Sequence, residues 1–391
     1  MADPSNVDVS FYLGRSSFFK GDYEMAIMAF DRVLIMSPDS IRVKLELARC
    51  HMRLGAYETA KQYFYDVLAS KPPKPVRNNI DMFLAAIANA EKKNYFSGML
   101  AMGISYDNNI RSAPGSFLLS FSGSAGDVTF TIDAPEEKDH FFTTTLALNH
   151  IYKFEDSSYA WKTTFTNFNN SYLSRSSRDL DINFYGLSTG PVYQSDKMLL
   201  EAHAYLNNLE LDYEDYVQPT GLGASATFLL EPKLMLAVAA GGEVKNYAKD
   251  SDSAKDALNW NISVSPIFTE GDNRFTATLL KERENADQDY WSYDRLKFGI
   301  RYDRNFSHNL SFFTNLDFKH TYYDKLKPGE AVIRSDYIQE TGVGLNKLLW
   351  QTPKGRSLSL QISYTYTKAQ SNLTLYEYRK DVSAALMSYS F

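Results

Sequence analysis

The chain has 391 residues, with 41 basic and 47 acidic side chains and a net charge of −6. This length exceeds one ordinary domain, so we expect two. The near balance of charge gives no support for a nucleic-acid-binding protein, which needs a basic surface. The single cysteine, Cys50, excludes an internal disulfide framework and a cysteine-rich metal site. No run of 18 apolar residues occurs, so no transmembrane helix is predicted.

The first residues show no signal peptide. Met1–Asp3 are followed by neither a charged n-region nor an apolar h-region. We therefore expect a mature N-terminus from which an export signal has been removed.

Residues 7 to 92 contain a repeat with a period of 34 residues. Its period and residue types resemble the tetratricopeptide repeat, a helix-turn-helix unit. Glycine makes the turn, alanine lets the helices approach, aromatic residues fill between them, and proline ends the second helix. A third helical stretch, Pro75–Lys92, is predicted to cap the array. The repeated pairs are Gly21 and Gly55, Tyr23 and Tyr57, Ala26 and Ala60, Phe30 and Phe64, Val33 and Val67, and Pro38 and Pro72.

The first helix of each repeat is expected to line a concave face. One interpretation is a basic, aromatic groove that binds an extended or acidic partner segment, from a cargo or a periplasmic chaperone. The other is a solvated face with packing aromatics. Cys50 is expected to be a small buried hydrophobic residue. The predicted groove residues are Arg15, Phe18, Phe19, Arg42, Arg49, Met52 and Arg53.

From Phe96 the helical period gives way to alternating segments, which indicate strands with one apolar and one polar face. Hydroxyl and amide side chains on the polar face are typical of a barrel lumen. The pattern predicts fourteen antiparallel strands of an outer-membrane β-barrel. They are placed at about 97–107, 138–154, 158–173, 179–193, 196–212, 218–230, 233–247, 256–268, 272–284, 291–304, 308–324, 335–350, 356–369 and 378–391.

Charged residues on these strands are assigned to the lumen, because Lys or Arg facing lipid near the midplane costs about 2–4 kcal/mol. The outer face is instead apolar and meets outer-membrane lipid. The predicted lumen residues are Glu201, Glu243, Arg295, Lys297 and Arg301.

The last strand ends in an apolar and aromatic pattern. Tyr389 and Phe391 resemble the C-terminal signal by which the barrel assembly machinery recognises bacterial outer-membrane barrels. Ser383 departs from that signal, because it falls on the face that is usually apolar.

The connections alternate between short and long, as in barrels with short periplasmic turns. The first long connection, Asn108–Glu137, contains the apolar stretches Phe117–Phe121 and Val128–Ile132. We consider three structures for it: a plug in the lumen, a separate hairpin that gives emerging cargo an edge to fold against, or two more barrel strands, making sixteen.

No motif indicates catalysis. The sequence has no Gly-x-Ser-x-Gly elbow, phosphate loop or metal-ligand spacing. We therefore expect neither an enzyme nor a cofactor.

One stretch carries a more specific resemblance. Pro72-Pro73, Pro75-Val76 and Phe83–Ile87 are followed by Gly103–Asn109 and Ala113-Pro114. This is similar to the junction of the surface lipoprotein assembly modulators (Slam), the outer-membrane component of the type XI secretion system. The resemblance implies a tetratricopeptide domain over 1–94 and a fourteen-strand barrel over 95–391. It also implies export of a protein cargo, either a surface lipoprotein or a soluble haem-binding protein.

Two other functions remain open. An exopolysaccharide exporter also joins tetratricopeptide helices to a barrel, but two repeats are few for that class, and an acidic glycan would need a lumen of one charge sign. The second alternative function is that of a diffusion porin whose helices tether a partner.

Overall fold

The computed structural model describes residues 6–123, 126–155, 157–353 and 355–391. The chain divides into two compact units, the first ending at Lys92 and the second beginning at Lys93.

The first unit is helical. None of its described helices is long and apolar enough to cross a membrane. Asn6 caps the first helix by accepting hydrogen bonds from the backbone N–H groups of Asp8 and Val9, at 3.0 and 3.2 Å. The helices are α1 (Val7–Lys20), α2 (Tyr23–Met36), α3 (Ile41–Arg53), α4 (Tyr57–Ala69) and α5 (Lys74–Ala90).

The repeated residues form the core of this unit. Gly21 and Gly55 have φ angles of 85° and 76°, which only glycine adopts without strain, and each ends the first helix of its repeat. The second helices of the two repeats are α2 and α4. The alanine, phenylalanine and valine that recur in them are at most 2 % exposed. The repeat thus specifies the same packing twice, with Ala26, Phe30 and Val33 in one cluster and Ala60, Phe64 and Val67 in the next.

The second unit is a closed barrel. Its described residues form fourteen antiparallel strands in the order β1-β16-β15-β14-β13-β12-β11-β10-β9-β8-β7-β6-β5-β4, while β2 and β3 form a separate two-stranded sheet. The strands are β1 (Asn94–Asp107), β2 (Gly115–Gly123), β3 (Gly126–Ala134), β4 (Asp139–Lys153), β5 (Tyr159–Tyr172), β6 (Ile182–Gln194), β7 (Met198–Leu211), β8 (Glu214–Glu231), β9 (Leu234–Tyr247), β10 (Ala257–Glu270), β11 (Asn273–Ala286), β12 (Tyr293–Phe306), β13 (Leu310–Tyr323), β14 (Ser335–Gln351), β15 (Ser357–Ser371) and β16 (Tyr378–Ser390).

The predicted fourteen-strand barrel is confirmed, and each predicted strand overlaps one strand of the barrel. The sixteen-strand alternative is wrong, because the described strands β2 and β3 pair with each other in a sheet separate from the fourteen-strand barrel. The two apolar stretches of the first long connection, Phe117–Phe121 and Val128–Ile132, fall in this hairpin. Their side chains lie outside the described part of the structure. One connection is shorter than predicted. Asp212 and Tyr213, with φ angles of 52° and 62°, make a two-residue turn between β7 and β8.

The outer face of the barrel is apolar and the inner face is polar. On β10, Leu258, Trp260 and Ile262 are 42–54 % exposed. Their neighbours Asn259 and Asn261 therefore point inward, since side chains alternate along a strand. Directly paired residues on neighbouring strands share a face. The division into an apolar outer face and a polar inner face therefore extends from each strand to the next.

Candidate functional site

The inner wall of the barrel carries charged side chains. Alternation and register place all five predicted lumen residues on this face. Glu201 accepts a hydrogen bond from Lys162, with Oε1 and Nζ 2.9 Å apart. Lys297 lies 3.0 Å from Asp317, and Arg301 lies 2.6 Å from Asp303. These inward charges therefore have opposite-sign partners on the same wall. The five predicted lumen residues are Glu201, Glu243, Arg295, Lys297 and Arg301.

One continuous polar network crosses the wall from β7 to β13. Tyr205 donates to Glu243 at 2.9 Å, and Lys245 lies 3.6 Å from Glu243 and 2.8 Å from Glu284. Asn259 then links Glu284 to Glu282, at 2.7 and 3.1 Å.

Arg295 extends the network at its far end. It lies 3.1 Å from Glu282 and donates through Nε to Thr321 at 3.0 Å. Each carboxylate of this network has a cation or amide partner, which offsets part of the cost of removing its charge from water.

Sequence reasoning missed most of these partners. Glu282, Glu284, Lys162 and Asp317 sit on the polar faces of strands that were correctly placed. They come next to their partners only through cross-strand register, which alternation alone does not give. A signal was present, however. Each partner has the opposite charge and lies on the predicted inward face.

Two cationic side chains also lie opposite each other on neighbouring strands. Lys297 pairs directly with Lys319 across β12 and β13. Like charges in this position are destabilising, and Asp317, 3.0 Å from Lys297, offsets part of the repulsion.

A recess of about 730 Å³ opens on the inner wall near the short turns. Lys162 and Glu201 contribute opposite charges to it, and Gln194 and Ser158 contribute neutral polar groups. A recess with this lining can receive side chains of either sign.

The helical unit brings the predicted groove residues together in pairs. Arg42 lies over the ring of Phe11 with its guanidinium carbon 4.4 Å from the centroid, and Arg49 lies 4.6 Å over Phe18. These contacts join α1 to α3, and each contributes about 0.5–1 kcal/mol at an exposed site. Sequence reasoning missed Phe11, which is only 8 % exposed.

The remaining groove residues differ in exposure. Arg15 lies 5.6 Å over Phe19, whose ring is 72 % exposed. Met52 is half-buried and Arg53 is exposed. A partner could therefore contact Phe19 and Arg53 directly, whereas Phe18 already packs against the core.

Two groups behind this face have shifted pKa values. Burial raises the pKa of the Cys50 thiol to about 12. Burial also lowers the pKa of the His51 imidazole, which therefore favours its neutral form. Cys50 is fully buried, in agreement with its predicted place in the core.

The C-terminal aromatics lie where the barrel closes. Gly98 and Phe391 exchange two backbone hydrogen bonds, of 2.9 and 3.0 Å. The rings of Tyr389 and Phe391 stack with centroids 5.9 Å apart. Their role as an assembly signal stays a prediction.

Among the described residues, no group of three His, Cys, Asp or Glu side chains could hold a metal ion.

Two family patterns match the sequence. The surface lipoprotein assembly modifier family matches residues 97–390, and a tetratricopeptide repeat matches residues 20–78. A comparison with curated proteins gives no match.

Several solved protein structures are similar to this chain. Acinetobacter baumannii OccAB3 shares 10 % identity over 76 % of this chain and 98 % of its own, with a TM-score of 0.43. Pseudomonas aeruginosa OprD shares 14 % identity over 76 % and 95 %, with a TM-score of 0.39. A loop-deletion variant of Vibrio cholerae OmpT, an outer membrane protein, shares 10 % over 76 % and 99 %, with a TM-score of 0.41. TM-scores of this size do not distinguish one barrel family from another.

Proposed function

Since the chain belongs to the surface lipoprotein assembly modifier family, we propose that it moves a protein cargo from the periplasm to the cell surface. The cargo is a surface lipoprotein or a secreted haem-binding-type protein. The family match over residues 97–390 is the observation that carries this proposal, and it also places the protein in the outer membrane.

We assign the two parts of the chain different tasks. Residues 1–94 lie in the periplasm and recruit the cargo or its chaperone. Residues 95–391 form the exit path through the outer membrane. No nucleic acid is involved.

The inner wall supports passage of a polypeptide. Its described charges include opposite-sign pairs, such as Lys162 with Glu201 and Lys297 with Asp317. A wall of this kind holds no large field of one sign, so it neither traps nor repels an extended chain of mixed charge. An acidic glycan would gain less from it than from a basic wall.

The groove between α1 and α3 supports recruitment. Phe19 and Arg53 are exposed at the end of the groove where Arg49 lies over Phe18, and together they offer apolar surface and positive charge. An extended segment with acidic and apolar residues fits both.

The proposal is tested by deleting the gene and comparing the surface-exposed lipoproteins of the two strains by protease shaving and mass spectrometry. We expect at least one lipoprotein to lose surface exposure while its cellular amount stays constant. Complementation should restore it. If neither the surface proteome nor the secreted proteins in the culture medium change on deletion, the proposal is contradicted.

Topology is tested by cysteine labelling of intact cells. Lys327 lies in the 324–334 connection, whereas Lys233 lies in a two-residue turn at the opposite end. We expect Lys327→Cys to react with an impermeant maleimide and Lys233→Cys to react only after lysis. The reverse pattern would overturn the assignment of residues 1–94 to the periplasm. Lys354, in the connection between β14 and β15, would be an equivalent labelling position, but it lies outside the described residues.

A further inference from the structure

Two cationic side chains lie next to each other on the outer, lipid-facing side of the barrel. Ile362 and Tyr364 are exposed on the outer face of β15, so Lys368 shares that face, because side chains alternate along a strand. Arg379 is the direct partner of Lys368 on β16 and therefore also faces outward. Like charges in this position repel each other, and a negative charge between them would remove the repulsion.

No side chain in the described part of the chain supplies that negative charge, since neither cation forms an ion pair with a described residue. Asp381 lies on the same face of β16, but it accepts hydrogen bonds from the hydroxyl of Tyr364 and the amide of Asn108 instead. Glu377, the other nearby carboxylate, pairs with neither cation.

Two other outward-facing cations at the same end of the barrel are paired within the chain. Lys281 is directly paired with Leu296, which is exposed on the outer face, and Arg283 lies on the same face of β11. Lys281 lies 2.5 Å from Asp294, and Arg283 lies 2.5 Å from Asp324. The protein thus provides its own anions there, whereas the two cations on β15 and β16 are available to an anion from outside the chain.

The position of Lys368 and Arg379 along their strands matches the headgroup region of a membrane. Lys368 lies three residues before the end of β15, and Arg379 is the second residue of β16, so both are close to a long connection. Tyr364 is typical of an interfacial aromatic girdle, and Lys368 lies about 13 Å beyond it along the strand. Cations cost little at this depth, and their long side chains reach toward lipid phosphates.

A shallow apolar recess lies beside the two cations, on the side of the membrane centre. Its volume is about 600 Å³, and it crosses the outer faces of β1, β14, β15 and β16. Ser383 and Ala385 contribute small side chains to it. Ser383 is the residue that departs from the usual apolar pattern of a C-terminal strand. The larger side chains around the recess are Ile104, Tyr106, Val343, Leu345, Ile362 and Tyr364.

A second recess on the outer face lacks such cations. It measures about 650 Å³ and lies between Leu206, Leu222 and Val244. The outward-facing residues beyond it, toward the long connections, are the neutral Asn208, Gln218 and Asn246. The feature that distinguishes the first recess is therefore the pair of cations next to it.

We propose that the recess and the two cations bind a phosphorylated glycolipid of the outer leaflet, with a phosphate between Lys368 and Arg379 and an acyl chain beside Ala385. This inference uses the proposed topology, in which the long connections face outside, but it does not use the transport function.

The ligand follows from two kinds of chemistry in one place. The guanidinium of Arg379 presents its N–H donors in a planar fork that matches two oxygens of a phosphate, and Lys368 adds a second positive charge. The apolar recess accommodates an acyl chain of the same molecule. Inorganic phosphate would leave the recess empty, and an uncharged acyl anchor would leave the two cations without a counter-charge.

Native mass spectrometry of the detergent-solubilised full chain measures the binding, with bisphosphorylated lipid A as the probe. We expect the wild type to bind lipid A and Lys368→Gln/Arg379→Gln to bind it about tenfold more weakly, because a hydrogen bond to a charged group is worth about that factor. The matched control is Arg304→Gln/Lys347→Gln, which removes the same charge from the outer face at the short-turn end. No binding by the wild type, or equal binding by the two double variants, would overturn the proposal.

Three further probes identify the lipid. Lipid A without its two phosphates should bind the wild type no better than intact lipid A binds Lys368→Gln/Arg379→Gln. Phosphatidylglycerol should bind more weakly than lipid A, and equal binding would contradict a site for an outer-leaflet glycolipid. A triacylated lipopeptide stands for the acyl anchor of a cargo lipoprotein. If it binds most tightly and is insensitive to the loss of the cations, the recess serves the cargo and the proposal is wrong.

Filling the recess tests the place of the acyl chain. Ala385→Leu adds atoms inside the recess, whereas Ala240→Leu adds the same atoms at an outward-facing residue of β9. We expect only Ala385→Leu to weaken the binding of lipid A, while heat-modifiable migration shows that both barrels are folded. Equal binding by these two variants would contradict an acyl chain in this recess.

These measurements are independent of transport. Dependence of surface display on the gene reports the proposed function, whereas lipid binding is measured on the purified protein with no cargo present. Failure of one proposal therefore leaves the other standing.

Discussion

The two units of this protein differ in where they place their apolar residues, which lie inside the helical unit but on the outer face of the barrel. In the helical unit, Phe30 and Phe64 are completely buried and charged residues face water. In the barrel, Leu258 and Ile262 are exposed on the outside, while charged residues pair across the inner wall. Each arrangement follows from its solvent, since water surrounds the helices and lipid surrounds the barrel.

The difference shows where each unit is vulnerable. A helical repeat depends on a few close-packed side chains, so that removing one leaves a cavity. A barrel wall is instead held by backbone ladders shared by many residues. Its vulnerability lies in polarity, because a charge on the wrong face has no partner.

The largest effect is expected in the helical core. Phe64 is fully buried and stacks on Phe83 with centroids 5.4 Å apart. Phe64→Ala should destabilise the helical unit by about 3–5 kcal/mol, because it creates a cavity. Hydrogen exchange of α3, α4 and α5 in the full chain measures this loss.

The matched control is Phe19→Ala, which removes the same side chain from a site that is 72 % exposed. Exchange should then change little, and the heat-modifiable migration of the barrel should be unaffected by either variant. Similar exchange in the two variants would refute the packing of the two repeats.

The next effect concerns the outer face of the barrel. Val264 lies on the outer face near the middle of β10, and Ser263 beside it faces inward. Val264→Arg should destabilise the barrel by about 2–4 kcal/mol in lipid vesicles, whereas Ser263→Arg can reach water in the lumen and should cost less. Urea unfolding followed by tryptophan fluorescence measures both. A larger loss for Ser263→Arg would invert the assigned faces.

A smaller effect is expected from the groove, where recruitment rather than folding is at stake. The combined change of Arg42, Arg49 and Arg53 to Glu should lower surface display severalfold, because it reverses the charge that an acidic segment meets. The comparison is a triple change of Lys20, Lys71 and Arg77 to Glu, which alters the net charge of the same unit equally. Quantitative flow cytometry at matched barrel levels decides between them. If both triples display alike, the arginines only pack against aromatic rings.

Local sequence pattern was enough to predict the strands of this fold, but not the side-chain contacts between residues distant in the sequence. The alternation from Ser357 to Thr367 located β15 within a few residues, and the 34-residue period located the helices. In contrast, the ion pair between Asp107 and Lys380, 2.6 Å apart, joins residues 273 positions apart, and no short-range periodicity records such a contact.

The smallest effect is expected at the rim, where the first long connection meets the β5–β6 connection. Arg111 binds Asp179 through two contacts, of 2.7 and 3.0 Å, and also lies 2.9 Å from Glu137. Hydrogen bonding to Arg111 lowers the pKa of Asp179 below its ordinary value of 3.8. The ionised carboxylate therefore stabilises the folded state above that ordinary value, and the contribution disappears as the pH falls through the lowered pKa.

Asp179→Asn should accordingly cost only about 0.2–1 kcal/mol at neutral pH, since both side chains are partly exposed and salt screens them. The cost should disappear as the pH falls through the lowered pKa of Asp179, and it should fall in high salt. Glu270→Gln is the matched control, because Glu270 meets Lys233 through a single contact of 2.7 Å between two more exposed side chains. Hydrogen exchange of residues 108–113 and 173–181 provides the measurement. A loss for Asp179→Asn that persists unchanged in acid would show that Arg111 holds the rim by packing rather than by charge.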